Sequence, residues 1–118
     1  MKQENKELLL RDLCTRLPYG VKINENTQGD FTVIGLTMER VFTTCETEGC
    51  HNDFPIECVK PYLFPLSSIT KKRLEELSEY IDIKNAYVAL ELLNSHHIDY
   101  RGLIERGLAI DATRLNIY

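Results

Sequence analysis

Tryptophan is missing from this 118-residue chain, glycine occurs six times and proline four. The longest leucine run near the start, Leu8 to Leu10, is three residues between charges. That excludes a secretory signal and a membrane span in this stretch, both of which need long apolar runs. Without a secretory signal the expected setting is the cytoplasm, where thiols stay reduced. The four cysteines are therefore not read as two disulfides. A basic half is also missing: residues 1–66 carry a net charge of -3 and residues 67–118 one of -1. A general nucleic-acid footprint needs clustered positive charge, so this class is disfavoured.

The sequence has no Gly-rich phosphate loop, no G-x-S-x-G, no H-E-x-x-H, no dinucleotide fingerprint and no C-x-x-C. It calls for no cofactor, and the lack of any catalytic constellation argues against an enzyme. What is present is enough for one folded domain over residues 1–118: 43% hydrophobic and 27% charged residues.

Leu9, Leu10, Leu13, Cys14 and Leu17 fall on one face of a helix over residues 4–17, stopped by Pro18. Glu7 with Arg11 and Asp12 with Arg16 are acid-before-base pairs at i,i+4, an arrangement suited to an exposed face. Residues 19–59 read as an antiparallel meander of three to four short strands, with "NENTQGD" and "TEGCHND" as turns. Residues 60–69, "KPYLFPLSSI", hold two prolines and read as an extended connector outside the sheet. Helices follow over 70–81 and 83–97, the second expected to be the most buried of the chain, and a short one in "DYRGLIERGLAID". In that last segment Asp99 is the candidate N-cap. Gly107 and Leu108 would make a Schellman stop with Leu103. The fold class is α+β: a small antiparallel sheet packed against an N-terminal helix and a C-terminal helical segment. An SH3-like partial barrel is one arrangement that fits.

"CETEGCHNDFPIEC" is the densest chemistry in the chain. Cys45, Cys50, His51 and Cys58 are soft ligands that suit zinc, with Cys14, His96 or His97 as further donors. Against this, Cys50 and His51 are adjacent and rarely bind one ion together, and no second compact Cys pair appears. Cys58 runs in phase with Phe54 and Ile56 and is expected to face the core as a small hydrophobe. A hairpin with incidental cysteines is the preferred reading, and no metal is assigned.

His96, His97 and Asp99 have the composition of a base held by a carboxylate, yet no nucleophile lies near them and both histidines sit at a helix end. Lys71, Lys72 and Arg73 place three cations in a first helical turn, against the dipole, with Glu75 and Glu76 as partial compensation. Tyr62 and Tyr87 read as core-edge rings. Tyr19, Lys71, Lys72, Arg73, Tyr100 and Arg101 are the candidate partner contacts.

Three blocks, "LLLRDLCTRLPYGVK", "VKPYLFPLSSIT" and "LNSHHIDYRGLIERGLAID", cover a little under half of the chain. They resemble a family of short proteins of unknown function from gut anaerobic bacteria and their phages or mobile elements. The resemblance implies a bacterial or phage origin and no particular chemistry. Two function classes follow from the residues. The first is a non-enzymatic protein-binding or adaptor protein. The second is a nucleic-acid-associated accessory protein using Lys71, Lys72, Arg73, Arg101 and Arg106.

Overall fold

The computed structural model describes residues 1–44, 52–69, 72, 75 and 86–118. A helix, α1 (Gln3–Arg16), precedes strands β1 (Lys22–Glu25), β2 (Gly29–Leu36), β3 (Arg40–Thr43), β4 (Asn52–Pro55) and β5 (Val59–Pro65). A second helix, α2 (Ala86–Ser95), and two short strands, β6 (Ile98–Asp99) and β7 (Ile110–Asp111), complete the described elements. The class is α+β as expected, but the sheet is larger. Seven strands run β4-β3-β2-β1-β5-β6, with β7 also on β5. Pairing is antiparallel from β4 to β5 and parallel where β5 meets β6 and β7.

The connector expected over 60–69 is therefore corrected: most of it is β5, which links the antiparallel and parallel parts. Strand alternation explains how Pro61 is tolerated there. Phe64 donates its N–H to His97 O on one edge, and Leu63 O accepts from Ala112 N on the other. By alternation Lys60 and Tyr62 share the Phe64 edge, and Pro61 shares the Leu63 edge. Pro61 pairs with Ile23 of β1 across the Lys60 edge, so the missing N–H takes no ladder bond from β1. The sequence rule against proline in a sheet failed because it takes no account of which edge the proline nitrogen faces.

One face of the sheet carries the core. Leu9 and Leu13 of α1 pack with Val21, Ile23, Val33, Val41, Phe54, Ile56, Val59 and Leu63, closed by Leu103, Leu108 and Ala109. The rings of Phe31 and Phe54 stand 5.3 Å apart, centroid to centroid. The meander turn 26–28 is tied by the Glu25 carboxylate, which accepts from the Thr27 and Gln28 amides and the Thr27 hydroxyl.

Several expectations on individual faces change. Cys14 is exposed, whereas Asp12 and Arg16 are fully buried. They sit at helical offsets of three and seven from Leu9, in phase with the leucines. Cys58 is exposed rather than in the core, because the chain passes through a 3-10 turn over Ile56–Cys58 that resets the alternation and turns Val59 inward instead. Helix α2 ends at Ser95, short of the expected residue 97, and Tyr87, Val88 and Leu90 lie exposed. It is not the most buried helix, and Tyr87 is not a core-edge ring. Of the helix expected over 70–81, Lys72 and Glu75 are described, both helical and exposed. The remainder of that helix and residues 82–85 lie outside the described residues.

The segment after β6 forms turns rather than a regular helix, yet its two ends match the expected chemistry. The Asp99 carboxylate accepts the Leu103 and Ile104 amides, each at 2.9 Å. At the far end Leu108 N–H bonds Leu103 O and Gly107 N–H bonds Ile104 O, the Schellman pattern, with Leu103 and Leu108 both buried. Gly107 has φ +74, and a Cβ built there meets nothing within 4 Å. Gly107→Ala therefore introduces backbone strain without a clash, and is expected to cost about 1 kcal/mol in chemical denaturation.

Candidate functional site

The polar groups that converge in this fold lie where α1, the α2–β6 junction and the last described residues meet. Asp12 and Arg16 are one helical turn apart, which lets the Arg16 fork close on the carboxylate: Nε to Oδ2 at 2.8 Å and Nη2 to Oδ1 at 3.1 Å. Arg16 Nη2 also donates to Ile98 O at the start of β6. Arg101 reaches the same carboxylate, Nη1 to Oδ1 at 2.9 Å, and touches Thr15 Oγ1 at 3.3 Å. Two guanidinium groups thus share one carboxylate, and the cluster carries one positive charge in excess. The ring of Tyr100 faces both, with centroid distances of 5.4 Å to Arg16 and 4.6 Å to Arg101, a cation–π arrangement that offsets part of that charge. The Tyr100 hydroxyl donates to the buried Asn94 side chain. Nη1 of Arg16 is buried without a hydrogen-bond partner among the described residues.

Beside this cluster the sheet changes neighbours. β1 pairs β5 as far as Ile23 opposite Pro61, so the next pair would be Lys22 with Tyr62. The Tyr118 hydroxyl stands there instead. It accepts Lys22 N–H at 2.9 Å and donates to Tyr62 O at 2.8 Å, relaying one ladder bond through a side chain. Its ring stacks on His97 with centroids 3.9 Å apart and planes 13° apart, and Phe64 flanks it at 6.0 Å. Lys22 Nζ lies 5.9 Å from the ring and donates to Ile117 O. The phenol end of Tyr118 is thus enclosed while the residue remains 45% exposed overall. Burial pushes its hydroxyl up to about 12, so it stays protonated, and a donor, throughout the neutral range.

His97 is the chain's described non-glycine residue at positive φ, 57°. The left-handed turn ends α2 and aims its carbonyl at Phe64 N–H, 2.8 Å away, starting the β6 ladder. Its ring is buried and its Nδ1 has no hydrogen-bond partner among the described residues. Burial lowers its pKa to about 4, with the charges of Arg16, His96 and Lys22 adding to the effect. It is a neutral stacking surface at pH 7.

The residues singled out from sequence are placed as follows. Tyr100 and Arg101 are brought together, but in the internal Asp12 network. Tyr19 is half-buried in the 3-10 turn after α1, and Lys72 is exposed. Lys71, Arg73, Cys45, Cys50 and His51 lie outside the described residues. Among the described residues no three His, Cys, Asp or Glu side chains group as a metal site. Asp99 does not hold a histidine, since both its oxygens are committed to the turn after β6. Sequence reading missed Asp12, Arg16 and Tyr118. The first two carried a usable signal in their phase with Leu9 and Leu13. Tyr118 carried none, because its partners at 22, 62 and 97 are distant in sequence. Among the described residues no helix is long and apolar enough to cross a membrane. Comparison with family models, with curated proteins and with solved structures finds no match for this chain.

Proposed function

We propose that this chain is a non-enzymatic protein-binding or adaptor protein, of the bacterial or phage origin its sequence resemblance implies. The observation that carries the reading is the outer face of α2. There Tyr87 is 73% exposed and Leu90 45%, on the same side as Val88 and Glu91. A large aromatic and a leucine presented together on a helix is the composition of a protein contact: tyrosine is enriched at interfaces, and helical anchors recur at spacings of three and four. Among the described residues, three groups with catalytic potential are occupied elsewhere. His97 stacks under Tyr118, Asp99 caps a turn, and Asp12 is shared by two arginines.

The accessory role on nucleic acid is the second reading and is weaker. Of its five cations, Arg101 is bound to Asp12 and Arg106 lies 3.7 Å from Glu4. Its test is direct: binding to a random duplex at low salt, with a steep loss as salt rises, would revive it.

The protein-binding reading predicts that Tyr87→Lys with Leu90→Lys alters stability by no more than about 0.5 kcal/mol. The same variant should abolish proximity cross-links made through α2. Quantitative cross-linking in a bacterial lysate, comparing wild type with the double variant, is the check. Unchanged cross-linked partners would overturn the assignment of this surface.

A further inference from the structure

The seat of Tyr118 has the make-up of a ligand site. A donor, Lys22 N–H, and an acceptor, Tyr62 O, converge on one hydroxyl at 2.9 and 2.8 Å. A flat neutral imidazole stacks on the ring, an ammonium approaches its face, and Phe64 forms a side wall. Such a seat reads a phenol and distinguishes it from a phenyl ring, since without the hydroxyl two backbone groups lose their partner.

The segment that brings Tyr118 there is lightly held. Residues 113–116 are exposed and lie outside any helix or strand. From Arg114 onward, three hydrogen bonds join the segment to the other described residues. They are Lys22 Nζ to Ile117 O and the two at the Tyr118 hydroxyl. Leu115 N–H bonds to nearby Ala112 O. Open cavities flank the strap on several sides. One of about 550 Å³ is lined by Phe64, Ser95, His97, Thr113 and Tyr118. Another, of about 330 Å³, is lined by Lys22, Phe31, Asn116 and Ile117, and a third, of about 520 Å³, by Pro65, Arg114 and Leu115. A segment with few contacts and unfilled space beside it belongs to the low-stability end of a fold and opens before the core does.

We infer that the cleft between Lys22, Tyr62 and His97 is a phenol-binding site. It is occupied in the resting chain by the chain's own Tyr118 and accepts the tyrosine of an incoming peptide when the strap lifts. It is a separate site from the α2 surface and does not rest on it. Lifting leaves Lys22 N–H and Tyr62 O facing each other across the gap between β1 and β5, both without a partner until the hydroxyl of an incoming tyrosine takes them.

The test removes the internal ring and supplies it from outside. In the 118-residue chain carrying Tyr118→Ala, p-cresol is expected to raise the thermal midpoint by several degrees and to shift the His97 ring resonances by stacking, with a roughly millimolar Kd. Toluene, which lacks only the hydroxyl, should bind at least about tenfold more weakly. Equal effects of the two probes, or no effect of either, would overturn the inference. Tyr118→Phe covers the case in which the alanine variant does not fold. Its internal ring has lost both hydrogen bonds, so N-acetyl-tyrosinamide should displace it at about tenfold lower concentration than in the wild type, read again at His97. Displacement at the same concentration in both proteins would also count against the site.

Discussion

Asp12→Ala is expected to lower the unfolding free energy by about 3–5 kcal/mol, the usual result of stripping the partner from a buried charge. Both Asp12 and Arg16 have side chains with no exposure, and Arg101 is only 17% exposed. Removing the carboxylate leaves Arg16 buried with Ile98 O and the Tyr100 ring as its remaining support. It also leaves two guanidinium groups facing each other unscreened. Against a total stability of roughly 5–15 kcal/mol, the variant should melt about 10–25 °C lower in scanning calorimetry. The pair is not valuable in itself. A buried ion pair replaced by apolar side chains of similar size is often neutral. The double variant Asp12→Leu, Arg16→Met should therefore recover most of the loss, to within about 1–2 kcal/mol of wild type. Arg101 can then turn to solvent from its edge position. If Asp12→Ala costs under about 1 kcal/mol, water reaches Arg16 and the cluster is not dry. If the double variant is as unstable as the single one, the bond from Arg16 to Ile98 O holds β6 in place and the pair specifies the α1–β6 junction.

The class of the fold was readable because its local signals agree: leucine phase in α1 and the Asn- and Gly-bearing turn between β1 and β2. The Schellman stop at Gly107 was readable to the atom, since a motif built within six residues needs no distant partner. β5 was misread because two prolines look prohibitive until the facing edge is known, and edges are set by strands at 22–25, 98–99 and 110–111. Asp12 and Arg16 were misread for a different reason. Their i,i+4 spacing fits a surface pair and a buried pair equally, and charge tipped the reading outward although their phase pointed in. The candidate site was the least legible. His97 was named, but as a helix-end residue, and its left-handed turn and its stacking partner arise only when residues 22, 62, 97 and 118 meet.

His97 gives the fold an acid sensitivity with a defined window. In the unfolded chain an ordinary histidine titrates near 6.5, whereas in the fold burial and the nearby charges of Arg16, His96 and Lys22 hold His97 at about 4. Between those values the unfolded state takes up a proton that the native state refuses. Stability therefore falls as pH drops from 6.5 towards 4, and is regained as pH rises through the same range. A full separation of the two pKa values corresponds to about 3 kcal/mol. Because His97 lines the open cavity beside Tyr118, solvent reduces this, and about 2 kcal/mol is expected. The Tyr118 hydroxyl, held near 12, contributes nothing in this window. His97→Asn isolates the effect, since asparagine tolerates the left-handed backbone at φ 57° and has no titrating ring. Urea denaturation of both proteins at pH 7 and pH 4.5 subtracts the carboxylates they share. The wild type should lose about 2 kcal/mol more than the variant over that interval. Parallel losses in the two proteins would mean that protonated His97 is accommodated, with the ring turning off Tyr118 into the cavity. The Tyr118 stack would then open in acid without unfolding the chain.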